Sequence, residues 1–198
     1  MVIILRPPTA AGTFYDINAE MLRKQLDFYF KNAVTKIRKV NILAGLVPHS
    51  QYIYSGQTAA YAYANIPKSN FIILGSNHSN QGTNFALMKN SLWKTPIGEV
   101  VVDDFLADKL LKDCSLVEFD ALPHENEFST EVQLPFLLHK FKDVKILPIC
   151  INNQIPDESL LESCRIVGSS IAKILKRGEN WKVIGSSDLS ENIEKEST

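Results

Sequence analysis

The sequence predicts an α/β fold, a mostly parallel central sheet flanked by helices. Three observations predict it. Short apolar runs at 42–47, 71–74, 144–151 and 181–184 alternate with segments of helical period. The run Phe71-Ile-Ile-Leu74 has no polar alternation, as expected of a strand covered on both faces. Each run also gives way to a polar loop, the strand–loop–helix order that parallel pairing requires of its crossovers.

In chain order, Leu22, Leu26, Tyr29, Phe30 and Ala33 recur at helical spacing, with Asn18 as N-cap and Glu20 in the first turn. Ile42 to Val47 is a strand ended by Pro48, and Ser55 to Asn65 is a helix rich in Ala and Tyr. Phe71 to Leu74 is the next strand, with Gly75-Ser-Asn-His78 as its loop. Shorter strands are expected between Asn84 and Val102, then a helix from Asp103 to Lys112. Ser129 is the expected cap of a helix reaching His139, which Pro135 should kink or divide. Pro148 inside the strand Val144 to Ile151 argues for an edge position or a bulge. Leu160, Leu161, Cys164, Val167, Ile171, Ile174 and Leu175 form the stripe of a helix over Asp157 to Arg177, with Gly178 as its stop. Trp181 to Ile184 is the last strand, and Leu189 to Thr198 a polar tail.

A length of 198 residues suits one core, so residues 1–198 are expected to form a single domain. At 45% hydrophobic and 22% charged residues, with nine Gly and nine Pro, disordered, collagen-like and coiled-coil classes are excluded. Lys plus Arg number 21 against 22 for Asp plus Glu, so no global field favours nucleic acid or an acidic lipid surface. Three cysteines without a CxxC pair signal neither a disulfide framework nor a zinc cluster, and predict a reducing compartment. The run Met1 to Leu5 meets Arg6 and two prolines too early for a signal peptide, and no apolar stretch is long enough to span a bilayer. A soluble, cytoplasmic protein is expected.

In open α/β sheets ligands gather at the carboxyl ends of strands, and that rule selects the candidate residues. His49 follows the first central strand, His78 the second, Asn152 and Asn153 the third and Asp188 the last. An isolated loop histidine is ordinarily just hydrogen-bonded, but two on neighbouring strand ends suggest a shared site. Neutral imidazole is a ligand for iron, copper or zinc and an acid/base near neutrality. A facial iron site needs two histidines and a carboxylate, for which Asp188 is best placed. Glu125 and Glu127 have the ordinary reading of a solvated loop, Glu131 that of a first-turn residue, and His124 follows no strand. His139 is expected to meet terminal carbonyls, and the cysteines to be structural.

Six segments in order resemble the Memo family, which includes the protein B component of the AmmeMemoRadiSam system. They are Arg6-Pro-Pro-Thr-Ala-Ala-Gly-Thr-Phe-Tyr15, Pro48-His-Ser-Gln-Tyr52 with Tyr54-Ser-Gly56, Leu74-Gly-Ser-Asn-His78, Trp93-Lys-Thr-Pro-Ile-Gly98, Glu127-Phe-Ser-Thr-Glu-Val-Gln-Leu-Pro-Phe136 and Ser186-Ser-Asp188. The resemblance implies a fold similar to class III extradiol dioxygenases, which are non-haem iron enzymes. It also implies a metal-dependent oxidoreductase role with iron or copper, or peptide binding as the competing activity. His49 and His78 match the family's first two pocket histidines, and Asp188 its Ser-Ser-Asp aspartate.

Three departures accompany it. Phe128 stands where the family has histidine, Ser190 and Glu191 stand where a histidine follows Ser-Ser-Asp, and members continue beyond the position of Thr198 to a pocket cysteine. The expectation is therefore a Memo-like domain lacking a C-terminal portion, with His49, His78 and Asp188 or Glu191 as metal ligands. The alternative is a non-catalytic module that binds a peptide or small anion through His49, Tyr54, Ser76 and Asn77. A third reading is a degenerate partner subunit whose open sheet edge favours homo-oligomers.

Overall fold

The computed structural model describes residues 3–33, 42–152, 157–175 and 180–188. Its elements in order are β1 (Ile4–Arg6), α1 (Ala19–Asn32), β2 (Ala44–Val47), α2 (Tyr52–Asn65), β3 (Asn70–Ser76), β4 (Phe85–Leu87), β5 (Ser91–Thr95) and β6 (Gly98–Val102). Then come α3 (Asp104–Asp113), β7 (Glu118–Phe119), α4 (Phe128–Glu131), α5 (Leu134–Lys140), β8 (Lys145–Ile151), α6 (Glu158–Ile174) and β9 (Trp181–Ser186). The main path of the nine-stranded sheet runs β1-β5-β6-β8-β3-β9-β2, with β4 and β7 beside it. Among the described residues only β5 with β6 and β4 with β8 pair antiparallel. Helices α1, α2 and α5 pack together, as do α3 and α6. The α/β class with a mostly parallel sheet is therefore the fold.

Local chemistry sets the element ends. The Asn18 side chain accepts from the N–H groups of Glu20 and Met21, and Leu22, Leu26 and Tyr29 form the buried face of α1. Asp103 and Asp157 cap α3 and α6 in the same way. The stripe of α6 buries Val167, Ile171 and Ile174 and leaves Leu161 exposed; the expected stop at Gly178 lies outside the described residues. The helix expected from Ser129 is divided at Pro135, as anticipated. Its cap is not Ser129 but Glu127, whose carboxylate accepts from the Ser129 N–H, and Pro135 opens α5 rather than kinking one helix.

Pro148 contradicts its expected edge position. It lies in β8, in the middle of the sheet, in register with Ile73 of β3. On the other side β6 pairs with residues 145–146 and β4 with residues 149–151. The missing N–H thus stands at the break between two neighbouring strands, where the ladder is already interrupted. Gly75 marks a close approach of β3 to α4, because a Cβ there would meet Ser129 Oγ at 2.5 Å and Thr130 Oγ1 at 2.8 Å. Among the described residues no helix is long and apolar enough to cross a membrane.

Candidate functional site

The strands β8, β3, β9 and β2 are neighbours and mutually parallel, so their carboxyl ends share one side of the sheet. The loops leaving them bring His49 and His78 together, with ring centroids 5.2 Å apart and planes at 84°. Asp188 joins them as a latch: its Oδ1 accepts from the N–H groups of His49 at 2.8 Å and Ser50 at 3.1 Å. Three of the five residues selected by the strand-end rule therefore meet in one place, while Asn152 lines a separate recess with Asn84 and Asp157. Asn153 and Glu191 lie outside the described residues.

His49 is buried, and its partners settle its tautomer. Ser186 Oγ–H donates to the Ser129 carbonyl at 2.6 Å, while the same oxygen accepts from Gln133 Nε2 at 2.7 Å. The single hydroxyl proton is thus committed, so toward His49 Nδ1, 3.4 Å away, Ser186 can only accept. Nδ1 carries the proton and Nε2 the lone pair. Burial pushes the His49 pKa below its ordinary value, the Asp188 charge opposing it, so the ring is neutral near pH 7.

His78 has its Nδ1 proton fixed through Glu127. The buried carboxylate accepts the His78 backbone N–H at 2.8 Å and lies 2.9 Å from ring Nδ1. A carboxylate can only accept, so Nδ1 is again the protonated nitrogen. Burial alone would raise the Glu127 pKa, but hydrogen bonds from the His78 ring and backbone and from the Ser129 N–H hold it below its ordinary value. Glu127 is therefore not the solvated loop residue that the sequence suggests. The sequence signals for it were its place at the head of the Glu127–Phe136 segment and an acidic residue directly ahead of a helix start. A recess of about 320 Å³ beside His78 and Glu127 is also lined by Gln81, Leu122 and Asn126.

Phe128 completes the ring cluster. It stacks on His78 at 4.4 Å and 18°, meets His49 edge-on at 5.6 Å, and is backed by Phe14 at 4.2 Å and 23°.

The remaining candidates go elsewhere. Tyr54 is 76% exposed on the first turn of α2. The Ser76 carbonyl accepts from Ser129 Oγ, and buried Asn77 bonds within its own loop to Gln81 O and Ser79 Oγ. His124 is fully buried, with Nε2 3.0 Å from Ala86 O and Nδ1 3.5 Å from Cys150 Sγ. Glu131 is buried and paired with Arg6. His139 does not meet the terminal carbonyls expected of it: it meets Asp27 at 3.0 Å and stacks on Phe30, while neighbouring Lys140 donates to the carbonyls of Tyr63, Ala64 and Ile66 at the end of α2.

The donor set decides which metal these residues suit. Among the described residues no group of three or more His, Cys, Asp or Glu side chains is arranged to hold a metal. Asp188 uses one carboxylate oxygen, Oδ1, to accept from two backbone N–H groups, so its part beside the two imidazoles is first to fix the His49 loop. Two imidazoles, His49 and His78, match the donor number of a two-coordinate cuprous ion.

Comparison with known proteins places the chain in a family. The model for "Memo-like protein" matches residues 6–196. A MEMO1 family protein of Methanosarcina acetivorans is 39% identical over 188 residues, covering 93% of this chain and 67% of the relative. MEMO1 family proteins of Methanococcoides burtonii and Ignicoccus hospitalis are 37% and 35% identical, covering 97% and 94% of this chain and 70% and 69% of the relatives. The chain belongs to the Memo-like protein family.

Proposed function

We propose that this chain is a metal-dependent redox protein whose His49 and His78 hold one copper ion. The observation that carries the reading is the imidazole pair itself, 5.2 Å between centroids, with the Nδ1 of His78 held by a buried carboxylate. A carboxylate behind a ligating histidine fixes its tautomer and raises its basicity. Copper would supply one-electron redox chemistry. The protein's own part is to present two imidazoles side by side, to fix the His49 loop through Asp188, and to cover one face of His78 with the Phe128 ring. The reducing cytoplasm that the cysteine pattern predicts would keep copper cuprous. An iron centre would need a further ligand, for which Glu191 is the sequence's remaining candidate.

The test is anaerobic reconstitution of the purified protein with Cu(I) and, separately, Fe(II), with bound metal measured against His49→Ala and His78→Ala. About one copper per chain, lost in both variants, with much weaker iron retention, is the expected result. Absence of copper above the variants in folded protein would sink the reading and leave the non-catalytic peptide- or anion-binding module ahead.

A further inference from the structure

Phe128 directly follows Glu127 at the start of α4, and the two neighbours grip one imidazole in different ways. Glu127 meets Nδ1 of His78 at the ring edge, 2.9 Å away. Phe128 lies on the face of the same ring, centroids 4.4 Å apart and planes within 18°, and is itself backed by Phe14. A hydrogen bond alone selects a nitrogen but lets the ring rock about Cβ–Cγ. A stack alone sets the plane but does not say which nitrogen faces the carboxylate. Together they determine both.

We infer that Phe128 is a positioning residue: with Glu127 it holds His78 as the Nδ1–H tautomer in one ring plane, fixing Nε2 as the donor nitrogen. Its consequence for copper rests on the proposed function, whereas the orientation of the imidazole does not. Unrestrained histidine in water favours the Nε2–H tautomer, so the pocket has to reverse an intrinsic preference. Phe128 contributes by preventing the ring from turning away from Glu127. The Phe14–Phe128–His78 column joins the N-terminal segment, the first helical turn of α4 and the loop after β3, so the hold depends on three separate pieces of chain.

The experiment reads the His78 ring nitrogens in ¹⁵N-labelled, metal-free protein at about pH 8.5, above the ordinary histidine range, with His78→Ala supplying the assignment. Wild type is expected to show Nδ1–H, Phe128→Tyr the same, and Phe128→Leu a mixture with Nε2–H. Phe14→Leu, milder should Phe128→Leu fail to fold, is expected to move the signal the same way by less. In competition with a Cu(I) chelator, Phe128→Leu should bind about tenfold more weakly and Phe128→Tyr within about twofold of wild type. An unchanged tautomer in the folded leucine variants overturns the inference. A single tautomer in a protein that binds no copper refutes the copper reading and leaves the positioning role standing. Copper binding with mixed tautomers in wild type does the reverse.

Discussion

A buried histidine without a carboxylate behind it behaves differently from His78, and His124 is the case in point. Its ring sits among Ala86, Cys150 and Trp93, and burial lowers its pKa from 6.5 to about 4, with the Ala86 carbonyl opposing and Arg6 reinforcing the shift. The unfolded chain takes up a proton near pH 6.5 that the folded chain refuses until about pH 4. Stability from this residue is therefore full above the upper value and falls as pH drops through that window, by up to about 3 kcal/mol. Urea unfolding of wild type and His124→Gln at about pH 7.5 and about pH 4.5 isolates it. The variant should lose less stability between the two; equal losses would place the proton elsewhere. His49, His78 and Asp188 were legible because one rule about strand ends picks them all. Glu127 and Phe128 stood out only through the family-like segment they open; their grip on His78 was not legible, because it joins residues 49 positions apart and no local pattern marks such a pair.

At the scale of elements, periodicity located helices whose apolar stripe is long, and missed what neighbours decide. Pro148 looked like an edge residue because its sequence says nothing of β6 and β4 meeting β8 on either side of it. Glu131 looked like a helix-dipole residue, yet it docks the N-terminal segment onto α4. Its carboxylate is ion-paired with Arg6 and accepts from the N–H groups of Thr9 and Ala10 and from the Tyr15 hydroxyl. Arg6 in turn donates to the carbonyls of His124 and Glu127 and lies over the Trp93 ring at 4.6 Å. Removing one partner of such a pair strands a buried charge, so Arg6→Ala should cost about 3–5 kcal/mol in urea unfolding at neutral pH. It should also disturb Glu127, whose carbonyl loses its donor, and with it the His78 ring signal. A loss below about 1 kcal/mol would mean that the hydrogen bonds from Thr9, Ala10 and Tyr15 suffice for Glu131 without the cation.

For the whole molecule, alternation of runs and helices predicts a parallel sheet but not its order, since β1 through β9 interleave by long crossovers that carry no sequence mark. The order has a consequence at the margin. Strand β2 pairs only with β9 among the described strands, and Leu46 in it and Leu43 just before it are 64% and 67% exposed. An edge of unpaired backbone groups beside exposed leucines is a template for pairing with another chain. Sedimentation should therefore show an apparent mass that rises with concentration above the 22.2 kDa of one chain. Leu46→Lys is the discriminating variant. A Cβ on Gly185 would come within 2.6 Å of the Leu46 side chain, so that chain lies across the β9 backbone, and the aliphatic stem of lysine can keep this cover while its charge faces solvent. The variant should stay monomeric across the same concentrations, with an unfolding free energy from urea titration within about 0.5 kcal/mol of wild type. A wild-type mass independent of concentration would show that the β2 edge does not recruit a second chain, and would remove the basis for an oligomeric reading.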